Sequence, residues 1–176
     1  MKISTRQLAV SALLVALDVL FARVLAINTP IMKLGLGFAA VAFGAMAYGA
    51  WWGAFIGALG DLLGSVLFPT GAYFPPFTVT AAITGAIYGL VLYKRQVTLP
   101  RALIAGGLNT VLVSYLMNSG LVAWLTGTAY SAMLATRAVQ LVVMLPVQCA
   151  MIYLIARAAP AQELIQKFSL ENREKP

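Results

Sequence analysis

The stretch Phe68–Gly89, FPTGAYFPPFTVTAAITGAIYG, decides how the rest of the chain is read. It sets three prolines, several aromatics and a threonine series between two apolar runs. Pro69, Gly71, Pro75 and Pro76 oppose helix continuation, so residues 68–77 are expected to form a stiff loop. The runs on either side are long, and working outward the same pattern repeats. Apolar segments fall at about 8–27, 34–50, 52–67, 76–93, 102–124 and 132–157, near the length of about 20 residues that crosses a bilayer. Hydrocarbon forces every backbone hydrogen bond to close internally, and these runs lack the alternation of barrel strands, so they are expected to be helices.

Composition agrees. Of 176 residues 61% are hydrophobic and 10% charged, where a soluble domain carries roughly 25% charged residues. The expected fold is an all-α membrane protein, a six-transmembrane-helix bundle over residues 1–159 with a charged cytoplasmic tail at 160–176. The net charge of +7 is explained by orientation, without nucleic acid. With the N-terminus inside, Lys2, Arg6, Lys94, Arg95, Arg101, Arg157, Lys167, Arg173 and Lys175 face the cytoplasm, and only Arg23, Lys33 and Arg137 do not. That split follows the positive-inside rule and puts both termini in the cytoplasm of a cell membrane protein. Asp18 and Arg23 interrupt the first run, which argues against a cleaved signal peptide. The chain has no histidine, and its one cysteine, Cys149, reads as packing. Without a histidine or an acidic pair at metal-ligand spacing there is no catalytic constellation, so an enzyme is not expected and no cofactor or metal is implied.

Small residues mark close helix contacts. Gly53, Gly57, Gly60 and Gly64 form a stripe along the third helix, and Gly85 and Gly89 repeat the device in the fourth. Both read as packing inside the bundle. Ala9, Ala12 and Ala16 share one face of the first helix, a face suited to internal packing or to another membrane subunit. Ionisable residues within spans are costly and are functional hypotheses by default. Arg23 and Arg137 either snorkel to headgroups or converge with Lys33 on an outward cavity that attracts an anion. Polar stripes favour the cavity: Arg137, Gln140, Met144 and Gln148 on the sixth helix, Ser114, Tyr115 and Asn118 on the fifth, Thr78, Thr80, Thr84 and Tyr88 on the fourth. Tyr73, Phe74 and Phe77 then serve as a lid or wall that stacks on a flat ring. Asp18 and Asp61 are each expected to pair with a basic or hydroxyl group, with a ligand role for the carboxylates as the alternative.

Three blocks carry a family resemblance: SALLVALDVLFARVLAINTPIMKLGLGF (11–38), YGAWWGAFIGALGDLLGSVLFPTGAYFPPFTVTAAITGAIYGLVLYKR (48–95) and TRAVQLVVMLPVQCAMIYL (136–154). In these the chain resembles the substrate-binding S components of energy-coupling factor (ECF) vitamin transporters, most of all the folate-binding ones. The resemblance implies a six-helix bundle that binds a vitamin from outside and has no ATPase activity of its own. It also implies partners: a membrane coupling subunit, EcfT, and two ABC-type ATPases that drive the S component to topple and release its cargo. The family's alanine motif matches Ala12 and Ala16 and implies docking of the Ala9, Ala12 and Ala16 face to the coupling subunit. Its site-lining loops map to about 27–33, 68–77 and 126–131. The implied substrate-binding set is Arg23, Lys33, Tyr73, Phe74, Phe77, Thr80, Thr84, Tyr115, Asn118, Arg137 and Gln140. Folate suits it, with a flat pterin for the aromatics and two carboxylates for the basic groups. Pantothenate, with one carboxylate and no ring, would underuse the aromatic loop, and cationic thiamine fits the basic groups poorly; the alternatives are an S component for pantothenate or a pyrimidine precursor, or a non-transporting MreD-like scaffold.

Overall fold

Glycine and proline set the helix boundaries in the structure, a computed structural model that describes residues 5–28, 33–69 and 73–158. Helix α1 spans Thr5–Val19 and continues into a π-helical turn, Leu20–Val24. A two-residue antiparallel hairpin follows, β1 (Ile27–Asn28) against β2 (Lys33–Leu34). Then come α2 (Phe38–Tyr48), α3 (Ala50–Leu67), α4 (Pro75–Leu92) and α5 (Leu99–Leu108). A nine-residue π-helical stretch, Asn109–Met117, joins α5 without a break to α6 (Asn118–Thr126), and α7 is Tyr130–Arg157. The segments at 70–72 and 159–176, including the expected tail, lie outside the described residues.

Two expectations change. Five of the described helices are long and apolar enough to cross a membrane, but α2 has only 11 residues instead of the expected span at 34–50. At 1.5 Å per residue it covers about 16 Å, roughly half the hydrocarbon core. Lys33 and Leu34 are taken by the hairpin, and Gly49 (φ +95°) ends α2 and starts α3 in a conformation closed to most residues. Apart from this two-residue hairpin the described elements are all helical, as expected. Secondly, Pro75 and Pro76 do not prolong the loop. They form the first turn of α4, where the missing N–H has no helical partner to lose.

Helices α3 and α4 pack backbone to backbone. A methyl group on Gly53 or Gly57 would lie 2.5 Å from the carbonyl oxygen of Gly85 or Ala81. Leu14, Ala42, Ile56, Leu92, Ala105 and Ile152 fill the bundle centre. In α1, α3, α4, α5 and α7 these lie further from the hairpin end than the polar residues described next, so the core closes the bundle beneath them. Cys149 is buried against Gly106, as packing predicts.

Candidate functional site

Above that core lies a chamber of about 470 Å³ lined by α1, α2, α3, α4, the α5–α6 span and α7. Such a volume suits a small-molecule site. One wall is built around carboxylates. Asp61 Oδ1 accepts from Arg23 Nη2 at 3.4 Å and Asp61 Oδ2 from Thr78 Oγ1 at 2.8 Å. Tyr73 Oη lies 2.9 Å from Thr78 Oγ1; with the threonine proton given to Asp61, tyrosine is the donor. The pairing expected for Asp61 is therefore present, and Arg23 faces the chamber rather than lipid. Asp18 differs from expectation. It is 8% exposed and lines the chamber, yet accepts no hydrogen bond among the described residues.

The glycine stripe explains how those charges fit. Gly53 and Gly57 admit α4, whereas Gly60 and Gly64 admit side chains of α1: a Cβ at Gly60 would overlap the Asp18 carboxylate, and one at Gly64 would lie 3.0 Å from Arg23 Nε. Gly37, at the start of α2, grips Asp18 from the other side. The π turn matters as well. Five residues of α-helix rotate a side chain about 140° away, and the wider turn at Leu20–Val24 returns Arg23 to the side of Asp18.

The floor is a closed polar network. Gln148 Oε1 accepts from Tyr88 Oη (3.3 Å), Asn109 Nδ2 (3.1 Å) and Thr110 Oγ1 (2.8 Å). Asn109 Nδ2 also donates to Tyr88 Oη at 2.8 Å and its Oδ1 accepts from Thr84 at 2.8 Å. Higher up, Thr80 Oγ1 lies 2.8 Å from Asn118 Oδ1. The threonines, Tyr88 and the polar stripe of α7 thus face each other as expected. Asn109 and Thr110 were missed, for a geometric reason. Nine α-helical residues turn a chain about 900°, placing Asn109 opposite Asn118, whereas π-helical pairing at about 4.4 residues per turn puts both on the chamber side. The available signal was a lone Asn-Thr pair in an apolar run, costly in lipid unless satisfied.

Of the expected binding residues, Arg23, Tyr73, Phe74, Phe77, Thr80, Thr84, Asn118, Arg137 and Gln140 line the chamber. Phe74 sits edge-on to Phe77 and to Trp124, with ring centroids 5.7 and 5.5 Å apart. Tyr115 does not belong to this set: its hydroxyl donates to Leu134 O at 3.1 Å, tying the α5–α6 span to α7. The Lys33 side chain lies outside what the structure describes. Arg137, on α7, has no acidic partner among the described residues. Ala9, Ala12 and Ala16 are all exposed on α1, so they do not pack inside this bundle. Among the described residues no group of three or more His, Cys, Asp or Glu is placed to hold a metal.

A bundle of membrane-length helices enclosing a polar, aromatic-walled chamber above an apolar plug defines a membrane-embedded binding protein for a small polar ligand. The chain belongs to the S components of ECF transporters: residues 2–159 match the family described as the ECF-type riboflavin transporter, S component. It is 37% identical over 162 residues to the folate transporter FolT of Clostridium novyi, covering 92% of this chain and 94% of that one. To the folate transporter FolT of Leuconostoc mesenteroides it is 29% identical over 160 residues, covering 88% and 86%. A crystal structure of FolT bound with folic acid superposes with a TM-score of 0.82 at 30% identity, covering 88% of this chain and 96% of that one. The protein is a transporter component, not an enzyme.

Proposed function

We propose that this S component binds folate from outside the cell membrane for ATP-driven uptake. What carries the reading is the chamber, which gathers aromatic walls (Tyr73, Phe74, Phe77), an arginine without an acidic partner among the described residues (Arg137) and further polar groups in one space. Folate has a flat pterin for the first and a dicarboxylate tail for the second, and charge-assisted pairs to arginine are the strong kind. The folate-transporting relatives support the same ligand. The family description names riboflavin instead; that neutral tricycle has no carboxylate and would leave Arg137 without a counter-charge.

The distribution of basic residues supports cytoplasmic termini, with the chamber on the outer side. Transport requires partners, a coupling subunit of the EcfT kind and two ABC-type ATPases, and the exposed Ala9, Ala12 and Ala16 face is the proposed docking surface. Small side chains there allow close helix approach where lipid supplies no hydrophobic drive. The direct test is the ultraviolet spectrum and mass spectrum of protein purified from folate-supplied cells. The expected result is a stoichiometric pterin chromophore; co-purified flavin refutes the assignment.

A further inference from the structure

Two ionisable side chains of the chamber, on different helices, make no direct hydrogen bond or ion pair among the described residues. Asp61 is answered by Arg23 and Thr78. Among the described residues Asp18 on α1, more than nine-tenths buried, opens onto the chamber with no hydrogen-bond donor, and Arg137 on α7 has no acidic partner. A buried carboxylate without donors is costly unless something else supplies them. Gly37 and Gly60 make room for the carboxylate and hold it at the chamber wall, since a side chain at either would occupy its space.

We propose that Asp18 reads the donor edge of the ligand's ring and thereby fixes its orientation, ring toward the α1–α3 wall and acidic tail toward Arg137. This rests on the folate reading and deepens it. A 2-amino-4-oxopyrimidine edge presents adjacent N–H groups that a carboxylate accepts as a pair, the strong charge-assisted arrangement. A flavin's pyrimidine edge reads carbonyl, N–H, carbonyl, so its oxygens would lie against Asp18 and be repelled. The same residue that accepts a pterin rejects an isoalloxazine. Specificity of this kind comes from the unfavourable contact as much as from the favourable one.

The test separates the two ends of the ligand. Purified wild-type, Asp18→Asn and Arg137→Ala proteins are titrated with folate, with pterin alone and with p-aminobenzoylglutamate, the tail alone. Asp18→Asn should weaken folate and pterin by at least about 30-fold and leave the tail fragment unchanged; Arg137→Ala should do the reverse for the fragments. Equal loss of all three ligands in Asp18→Asn, or no loss of any, overturns the assignment. Should Asp18→Asn fail to fold, wild-type protein is titrated with 2-deaminofolate, which lacks one of the N–H donors. At least about tenfold weaker binding than folate is expected there, and equal affinity overturns the proposal. Wild-type protein that binds no folate at all removes the folate reading itself, a different failure from intact folate binding by Asp18→Asn.

Discussion

Arg23 and Arg137 carry the same charge and line the same chamber, yet replacing each by alanine should have different consequences. Arg23 is held by Asp61 at 3.4 Å, with the two side chains 10% and 23% exposed. Among the described residues its loss leaves Asp61 with Thr78 alone. A hydrogen bond to a charged group contributes about 1.5–3 kcal/mol, and the long, partly solvated geometry argues for the lower end, so Arg23→Ala should destabilise the empty protein by about 1.5 kcal/mol. Arg137 has no acidic partner among the described residues and is half-buried. Removing it relieves a desolvated cation, so the empty protein should be no less stable. Ligand binding should respond in the other sense. If Arg137 pairs the folate tail, truncation costs about 2–5 kcal/mol, at least a roughly 30-fold loss of affinity. Arg137→Lys should recover only part, because the two-pronged geometry is gone. The assay is thermal unfolding in detergent with and without folate, alongside direct titration. Wild-type affinity in Arg137→Ala, or a loss of ligand-free stability matching that of Arg23→Ala, would refute the distinction between a paired and a ligand-facing arginine.

Gln148→Leu should deprive Tyr88 and Thr110 of the acceptor they have among the described residues and cost Asn109 one of its bonds. At about 0.6 kcal/mol per bond in a membrane bundle the loss is about 2 kcal/mol, read as a lower melting temperature without folate; an unchanged melt means the network does not support the bundle. Ala12→Trp should abolish coupled uptake in cells while the isolated protein keeps its folate affinity, since the face is exposed and away from the chamber. Parallel loss of binding and uptake would show that the face is not a docking surface. For orientation, Thr128→Cys at the chamber end should react with an impermeant thiol reagent in intact cells and Gln96→Cys should not. The opposite labelling pattern reverses the topology.

Much of the architecture is legible because lipid leaves few options: length and hydropathy place the long helices to within a few residues, and polar residues within them mark the chamber. What escapes are departures from α-helical periodicity. Asn109 and Thr110 are invisible to a 3.6-residue wheel because the span turns π-helical beneath them. Tyr115 is drawn to the site by the same wheel, and the structure turns its hydroxyl to Leu134 O instead. The glycine stripe reads correctly as close packing, but no sequence pattern tells that half of it admits a helix and half admits Asp18 and Arg23. The short α2 is hidden for another reason. Its flanks are as apolar as a span, and only the hairpin pairing of Lys33 and Leu34 shortens it. Prolines 75 and 76 illustrate an ambiguity of local rules, since the residue that ends a helix also begins one well.

The central claim is that an acidic, aromatic, pterin-shaped ligand fills this chamber, despite a family description that names riboflavin. Side-by-side calorimetric titration of the ligand-free wild-type protein with folate and with riboflavin tests it most directly. The account predicts saturable one-to-one binding of folate, at least about 100-fold tighter than riboflavin. Riboflavin binding as tightly as folate, or more tightly, contradicts it.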